Sequence, residues 1–270
     1  MSDHNRDKWI AIAFVVFIFL AFYETSRIYI PHLFIYIQSG AFAGSINLLS
    51  WLVALLLVGA TVGILRVHIP LGWHNVWWGV LVGIPSLFAM LYATRSLIPV
   101  ILHIPDFKPL IAVGFVEALR AGVTEEFVFR GVSLSLFQRV FRDLKHPLFW
   151  SVFASSVLFA SAHIAFNNFF NFSVLAAIGA FGAGILYATL TICTHSIWPG
   201  VILHTLEDFL PNIGSILKPV TQLTADTFQP FNLDVFVEAC RNALFLIALA
   251  IVIYTVWHRY SKPLGKTSAV

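Results

Sequence analysis

Long apolar runs constrain this chain more than any other feature of its sequence. Each run is close to the twenty or so residues that a helix needs to cross the ~30 Å hydrocarbon layer of a membrane. Apolar residues make up 59% of the 270 residues and charged residues only 11%, which excludes a soluble globular domain. The runs do not alternate between polar and apolar residues, as the strands of a transmembrane β-barrel do. The sequence therefore predicts an all-α, polytopic membrane helical bundle.

Eight segments are predicted to span the membrane, and they form one integral membrane domain over residues 1–270. Two of them are irregular, because 109–141 is long and carries charges and 197–210 is short. Basic residues flank the loops on one side, so we expect both termini to be cytoplasmic and the protein to lie in the cell (inner) membrane. The predicted spans are 9–30, 46–65, 76–93, 109–141, 148–165, 173–193, 197–210 and 237–257.

Charge and cysteine content exclude two further classes of protein. The net charge is only +3 and the basic residues are scattered, so no nucleic-acid partner is expected. Cys193 and Cys240 lie in or beside apolar segments and form no CxxC pair, which argues against a disulfide framework or a redox site.

Ionisable residues inside the predicted spans are the main functional signal. Each costs at least ~2.5 to 3.5 kcal/mol to insert, so such residues are rarely accidental. Three groups of them lie on the fourth, fifth and seventh predicted spans. The groups are Glu125 and Glu126 with Arg130, then His163, which follows Phe159 by four residues, and then His204 with Asp208.

Simple helix geometry brings these groups together. Glu125 and His163 lie symmetrically about residue 144, each about 16 residues, or ~24 Å, from the nearer end of the turn centred there. An antiparallel helix pair therefore places them opposite each other. His204 and Asp208 are four residues apart and share one helix face. For His204 to reach the same depth, the 139–147 hairpin must project ~12 Å beyond the membrane.

The ordered motifs EExxxR, FxxxH and HxxxD resemble those of the CAAX-protease and bacteriocin-processing family. This family comprises glutamic-type intramembrane proteases and includes the type II CAAX prenyl endopeptidase. The resemblance covers roughly residues 109–212. The stretch from Thr194 to Trp198 is also similar to the Thr-Gly-Ser-Leu-Trp sequence that precedes the family's last motif.

The resemblance implies a role for each motif residue. Glu125 is expected to act as the general base that, with His163, activates a water for attack on a peptide carbonyl. His204 and Asp208 are expected to stabilise the tetrahedral oxyanion. The substrate is then a membrane-delivered protein or peptide. Glu126 and Arg130, four residues apart, are better interpreted as an ion pair that closes the motif helix and orients Glu125.

Asp208 departs from the family, which often has Asn at this position. An ionised carboxylate cannot donate a hydrogen bond to an oxyanion. Asp208 must therefore be protonated, hold His204 as a charged donor, or bind a metal. No cofactor is expected for the glutamic mechanism, but zinc stays possible, since the four catalytic candidates also form a plausible nitrogen and oxygen ligand set. They are Glu125, His163, His204 and Asp208.

Two non-hydrolytic functions remain open. Buried carboxylates also serve as proton relays in transporters, but that class has paired broken helices in two related halves, and the sequence shows no such repeat. An inactive immunity or scaffold protein is the other alternative, and the intact motifs argue against it.

Overall fold

A computed structural model describes residues 8–14, 59, 63, 67–95, 97–103, 108–166, 172–217 and 233–260. Within these ranges the regular secondary structure is entirely helical, apart from one isolated antiparallel bridge between Leu71 and Ser196. The all-α membrane bundle predicted from the sequence is thereby confirmed.

The helices follow the predicted spans closely, and one long span is divided by a π-helical segment. Residues 8–14 are also helical. The elements are α1 (Val76–Thr94), α2 (Leu97–Leu102), α3 (Lys108–Glu126), the π segment (Phe127–Ser133), α4 (Leu134–Val140), α5 (Pro147–Phe166), α6 (Phe172–Thr194), α7 (Trp198–Leu217) and α8 (Leu233–Tyr260).

Three helices in the described ranges are long and apolar enough to cross a membrane on their own. They are Val76–Thr94, Val174–Thr194 and Leu233–Tyr260. The number of eight spans remains a prediction, because most of 9–30 and most of 46–65 lie outside the described residues. The short helix α2 was not predicted.

Helix α7 has two main neighbours in the bundle. It packs along α3 and against α1, while α6 packs along both α5 and α8. Small residues allow the α6 contacts. A Cβ on Gly182 would lie 2.7 Å from the Cα of Ala243 in α8, and one on Gly184 would lie 2.9 Å from the Cβ of Ser156 in α5.

An extended segment before α1 fixes the level at which α7 begins. The Ile197 N–H donates to the Pro70 carbonyl at 2.9 Å, and the indole N–H of Trp198 donates to the Leu71 carbonyl at 3.1 Å. Trp198 also makes an edge contact with Phe127, with ring centroids 6.2 Å apart. The helix continues from Phe127 to Val140, roughly 20 Å further. The 139–147 hairpin therefore extends well past the start of α7, in the direction that the sequence analysis predicted for it.

The turn between α6 and α7 adopts a conformation that favours glycine. His195 has a φ of 54°, in the left-handed region that side chains with a Cβ rarely occupy. The similar Thr-Gly-Ser-Leu-Trp sequence has glycine at this position. The turn geometry thus gives a physical reason for that glycine.

Candidate active site

The π segment begins immediately after the two glutamates of the first motif. Its wider turn gives bonds between residues five apart: the Leu134 N–H donates to the Phe129 carbonyl, and the Ser133 hydroxyl donates to the Val128 carbonyl. The Ser155 hydroxyl of α5 donates to the same Phe129 carbonyl at 2.9 Å. This bond ties α5, which carries the second motif, directly to the helix that carries the first.

Glu126 is the buried centre of the site. Its side chain is fully buried, and its Oε1 accepts hydrogen bonds from two groups on two helices. Arg130 Nη1 donates at 2.7 Å, so the ion pair expected from the four-residue spacing is present. His204 Nδ1 donates to the same oxygen at 3.0 Å. The first motif therefore holds the third motif through Glu126.

Arg130 is 1% exposed and is surrounded by aromatic faces. Its guanidinium carbon lies 4.2 Å from the ring centroid of Phe159 and 5.2 Å from that of Tyr187. Cation–π contacts of this kind compensate part of the cost of removing the charge from water. Together with Glu126 they explain how an arginine is accommodated at this depth.

His204 has three carboxylates within 4 Å of its ring nitrogens. While Nδ1 faces Glu126, Nε2 lies 3.4 Å from Asp208 Oδ2 and 3.8 Å from Glu125 Oε2. The ring is buried and stacks on Tyr187, with centroids 5.4 Å apart and planes 25° apart. The predicted residues Glu125, His204 and Asp208 thus come together.

The Nε2 side of this imidazole is the more open side of the site. The Asp208 side chain is 34% exposed and that of Glu125 is 18% exposed. The Oε2 atom of Glu125 is nevertheless buried and accepts no hydrogen bond from the residues that the structure describes. A reactant that approaches from this side can therefore contact both carboxylates and the imidazole.

His163 lies next to this cluster but is not bonded to it. Its Nδ1 donates to the Phe159 carbonyl at 2.9 Å. The Phe159 ring contacts both imidazoles edge-on, with centroids 4.6 Å from His163 and 5.8 Å from His204. Among the described contacts, no hydrogen bond or ion pair joins His163 to Glu125. The helix pair brings these two motifs to one region without a direct bond between them.

Sequence reasoning gave no role to Glu207, which is only 5% exposed. The hydroxyl of Ser86 donates to its Oε1, and the hydroxyl of Tyr187 donates to its Oε2 at 2.5 Å. The signal was available, because an ionisable residue inside a membrane helix is itself a functional indicator. The identities of Ser86 and Tyr187 gave no comparable signal.

The predicted zinc ligands do not form a ready coordination group. In the ranges that the structure covers, no three of the His, Cys, Asp and Glu side chains are arranged to hold a metal ion. Zinc binding therefore remains a prediction, and the Discussion gives the measurement that tests it.

Comparison with known proteins supports the family expected from the motifs. Residues 107–210 match the family model described as type II CAAX prenyl endopeptidase Rce1-like. This is nearly the same part of the chain as the one that carries the three motifs. No curated protein and no solved structure matches the chain significantly.

Proposed function

Given that residues 107–210 match the Rce1-like family of CAAX-type membrane proteases, we propose that this integral membrane protein is a glutamic intramembrane endopeptidase. The family match supports a hydrolase that acts on a membrane-associated peptide. The proposed mechanism uses water activated by Glu125 and His163, with His204 and Asp208 at the oxyanion. The observation that carries it is the approach of Glu125 and Asp208 to Nε2 of His204 on the open side of the site.

Glu125 is the proposed general base. Its buried Oε2 has no hydrogen-bond donor in the described part of the site, so this oxygen is available to accept a proton from water. The neighbouring Glu126 also has an oxygen without a donor in the described part of the site, Oε2, but its side chain is fully buried and its Oε1 is fixed by bonds from Arg130 and His204. The two adjacent glutamates therefore have different tasks.

His163 is the proposed partner of Glu125 in holding the water. A carbonyl can only accept a hydrogen bond, so the bond to Phe159 assigns a proton to Nδ1 of His163. In the neutral ring, Nε2 then carries a free lone pair. This nitrogen can accept a proton from the attacking water or hold the water in place for Glu125.

His204 is the proposed donor to the oxyanion. The bond from Nδ1 to Glu126 fixes one ring proton, and the carboxylates around the ring stabilise its positively charged form by Coulomb attraction. In that form Nε2 also carries a proton and donates a hydrogen bond. Of the three roles considered for Asp208, its 3.4 Å distance favours the one in which it keeps His204 charged.

The substrate is proposed from the expected topology. The charge distribution puts His163 and Asp208 nearer the face opposite the cytoplasm, whereas cleavage of prenylated CAAX tails needs a site open to the cytosol. We therefore favour maturation of an exported or sorted membrane protein.

Two single-cysteine variants test the topology by labelling from each side of the membrane. They are Lys145→Cys and Asn168→Cys, both made in a protein that lacks Cys193 and Cys240. Residue 168 lies outside the described ranges. Labelling of the Asn168→Cys variant from the cytoplasm would contradict this topology.

Comparing the termini of membrane proteins tests the protease function. Mass spectrometry is applied to cells that carry the wild-type protein, the Glu125→Gln variant or the Glu117→Gln variant. Glu117 is a matched control, since it lies on the same helix and pairs with Arg120 at 2.8 Å, away from the motif residues. We expect a set of cleaved termini to disappear only with Glu125→Gln. Identical termini in all three samples would remove the protease assignment.

A further inference from the structure

Glu207 is a buried carboxylate that the proposed mechanism does not use. It follows His204 by three residues on α7. Both of its oxygens accept hydrogen bonds, one from Ser86 on α1 and one from Tyr187 on α6. Glu207 therefore joins three helices, and nothing in its surroundings leaves an oxygen free for a reactant.

Tyr187 connects this carboxylate to the imidazole of the site. The hydroxyl of Tyr187 is bonded to Glu207, and its ring stacks on His204. The guanidinium of Arg130 lies over the same tyrosine ring at 5.2 Å. Since Tyr187 is only 1% exposed, its ring has little room to turn once the hydroxyl is fixed.

Two contacts are needed to aim Nε2 of His204. The bond from Nδ1 to Glu126 fixes one point of the ring but still permits rotation about that bond. The stack with Tyr187 fixes the plane of the ring. A ring held at one atom and on one face points Nε2 in a single direction, towards Glu125 and Asp208.

We infer that Tyr187 is a positioning residue for His204, held in place by Glu207 and, through it, by Ser86 of α1. This inference rests on the proposed function, since it explains the orientation of the proposed oxyanion donor, Nε2 of His204, by residues outside the motifs. Ser86 also lies outside the residues 107–210 that match the family. The active site of this protein therefore depends on α1 as well as on the motif helices.

The test measures kcat and KM with the full-length protein in detergent and a fluorescence-quenched peptide that spans a cleavage site found by the comparison of membrane-protein termini. Tyr187→Phe keeps the ring but removes the hydroxyl, and we expect kcat to fall roughly tenfold while KM changes less than about twofold. Tyr254→Phe is the matched control, because Tyr254 stacks on a different histidine, His258, at 5.9 Å. This control is expected to leave both constants unchanged.

Two substitutions of Glu207 separate positioning from general destabilisation. Glu207→Gln keeps an amide oxygen that accepts from Tyr187, so kcat is expected to stay within about threefold of the wild type. Glu207→Leu removes the acceptor and is expected to match Tyr187→Phe. Because both changes break the same bond, the Tyr187→Phe/Glu207→Leu double variant is expected to lose no more than either single variant. Losses that multiply in the double variant would overturn the inference.

The remaining outcomes are also decisive. If Tyr187→Phe does not fold, Ser86→Ala replaces it, and a kcat reduced about threefold is expected. A kcat at the wild-type level in Tyr187→Phe, or in Ser86→Ala when that variant is used, overturns the positioning role while Glu125→Gln remains inactive. If Glu125→Gln cleaves as well as the wild type, or the wild type does not cleave the peptide, the proposed function fails first and takes this inference with it.

Discussion

The two sides of the His204 ring differ in almost every physical property. On the Nδ1 side, Glu126 is fully buried and bonded to Arg130 as well as to the ring. On the Nε2 side, Glu125 and Asp208 are partly exposed and lie at longer distances, 3.8 and 3.4 Å. The closed side buries an ion pair within the protein, whereas the open side exposes parts of two carboxylates next to Nε2.

This difference shows how one helix can use adjacent glutamates for opposite purposes. Successive residues on a helix point about 100° apart, so Glu125 and Glu126 face different surroundings although they are neighbours in the chain. The following π segment places Arg130 next to Glu126, and α7 brings His204 between the two glutamates. The closed side holds the imidazole, and the open side is the one to which the proposed reaction is assigned.

The largest expected effect comes from breaking the closed side. Arg130→Met removes the guanidinium that pairs with Glu126 and leaves this fully buried carboxylate with the bond from His204 as its one remaining described hydrogen bond. We expect the free energy of unfolding to fall by about 3 to 5 kcal/mol. Denaturant titration of the protein in detergent micelles measures this change.

A surface ion pair provides the control for this prediction. Arg241 and Glu238 of α8 lie 3.3 Å apart, and both side chains are exposed. Arg241→Met is therefore expected to cost less than about 1 kcal/mol. Equal losses for the two variants would show that the closed side is not the stabilising part of the site.

A smaller effect is expected from crowding the closed side without changing a charge. A Cβ on Gly200 would lie 2.6 Å from Oε2 of Glu126, and this carboxylate cannot move freely because its other oxygen is bonded to Arg130 and His204. Gly200→Ala is expected to cost about 1 to 3 kcal/mol of unfolding free energy. Gly179→Ala, whose Cβ meets nothing within 4 Å, is expected to stabilise α6 by roughly 0.5 to 1 kcal/mol. Stabilisation by both substitutions would contradict the tight packing around Glu126.

The smallest effect is expected on the open side at Asp208, which is 34% exposed. Asparagine can accept from Nε2 of His204 and also donate directly to an oxyanion, so Asp208→Asn is expected to keep activity within about threefold. The zinc content of the purified protein is measured by elemental mass spectrometry in parallel. Loss of activity together with loss of a bound zinc would instead support the metal-dependent peptidase.

The sequence alone predicts the parts of this site that depend on short spacings. Arg130 pairs with Glu126 as four-residue spacing requires, and His204 and Asp208 share one face of α7. The helix boundaries are also close, although α7 continues through Pro211 to Leu217 rather than ending at residue 210. These features can be predicted because they depend only on residues a few positions apart, through apolar runs and the spacing of residues on one helix face.

The parts that could not be predicted depend on distant residues. Ser86 and Glu207 are 121 positions apart, and no local pattern links them. A count of residues from the hairpin turn predicts Glu125 opposite His163. The π segment after Glu126 changes the number of residues per turn, so this count does not fix which way Glu125 points, and no described bond joins the two residues. Glu125 instead lies 3.8 Å from Nε2 of His204, a pairing that only the packing of α7 on α3 determines.

The central claim is that Glu125 reacts and Glu126 holds, and adjacent substitutions in the purified protein test it most directly. Turnover of the same quenched peptide and the free energy of unfolding are measured for Glu125→Gln and Glu126→Gln side by side. The account predicts that Glu125→Gln is as stable as the wild type with turnover reduced about 10²- to 10⁴-fold, while Glu126→Gln is less stable but still turns over. Wild-type turnover by Glu125→Gln, or a complete loss confined to Glu126→Gln, would contradict it.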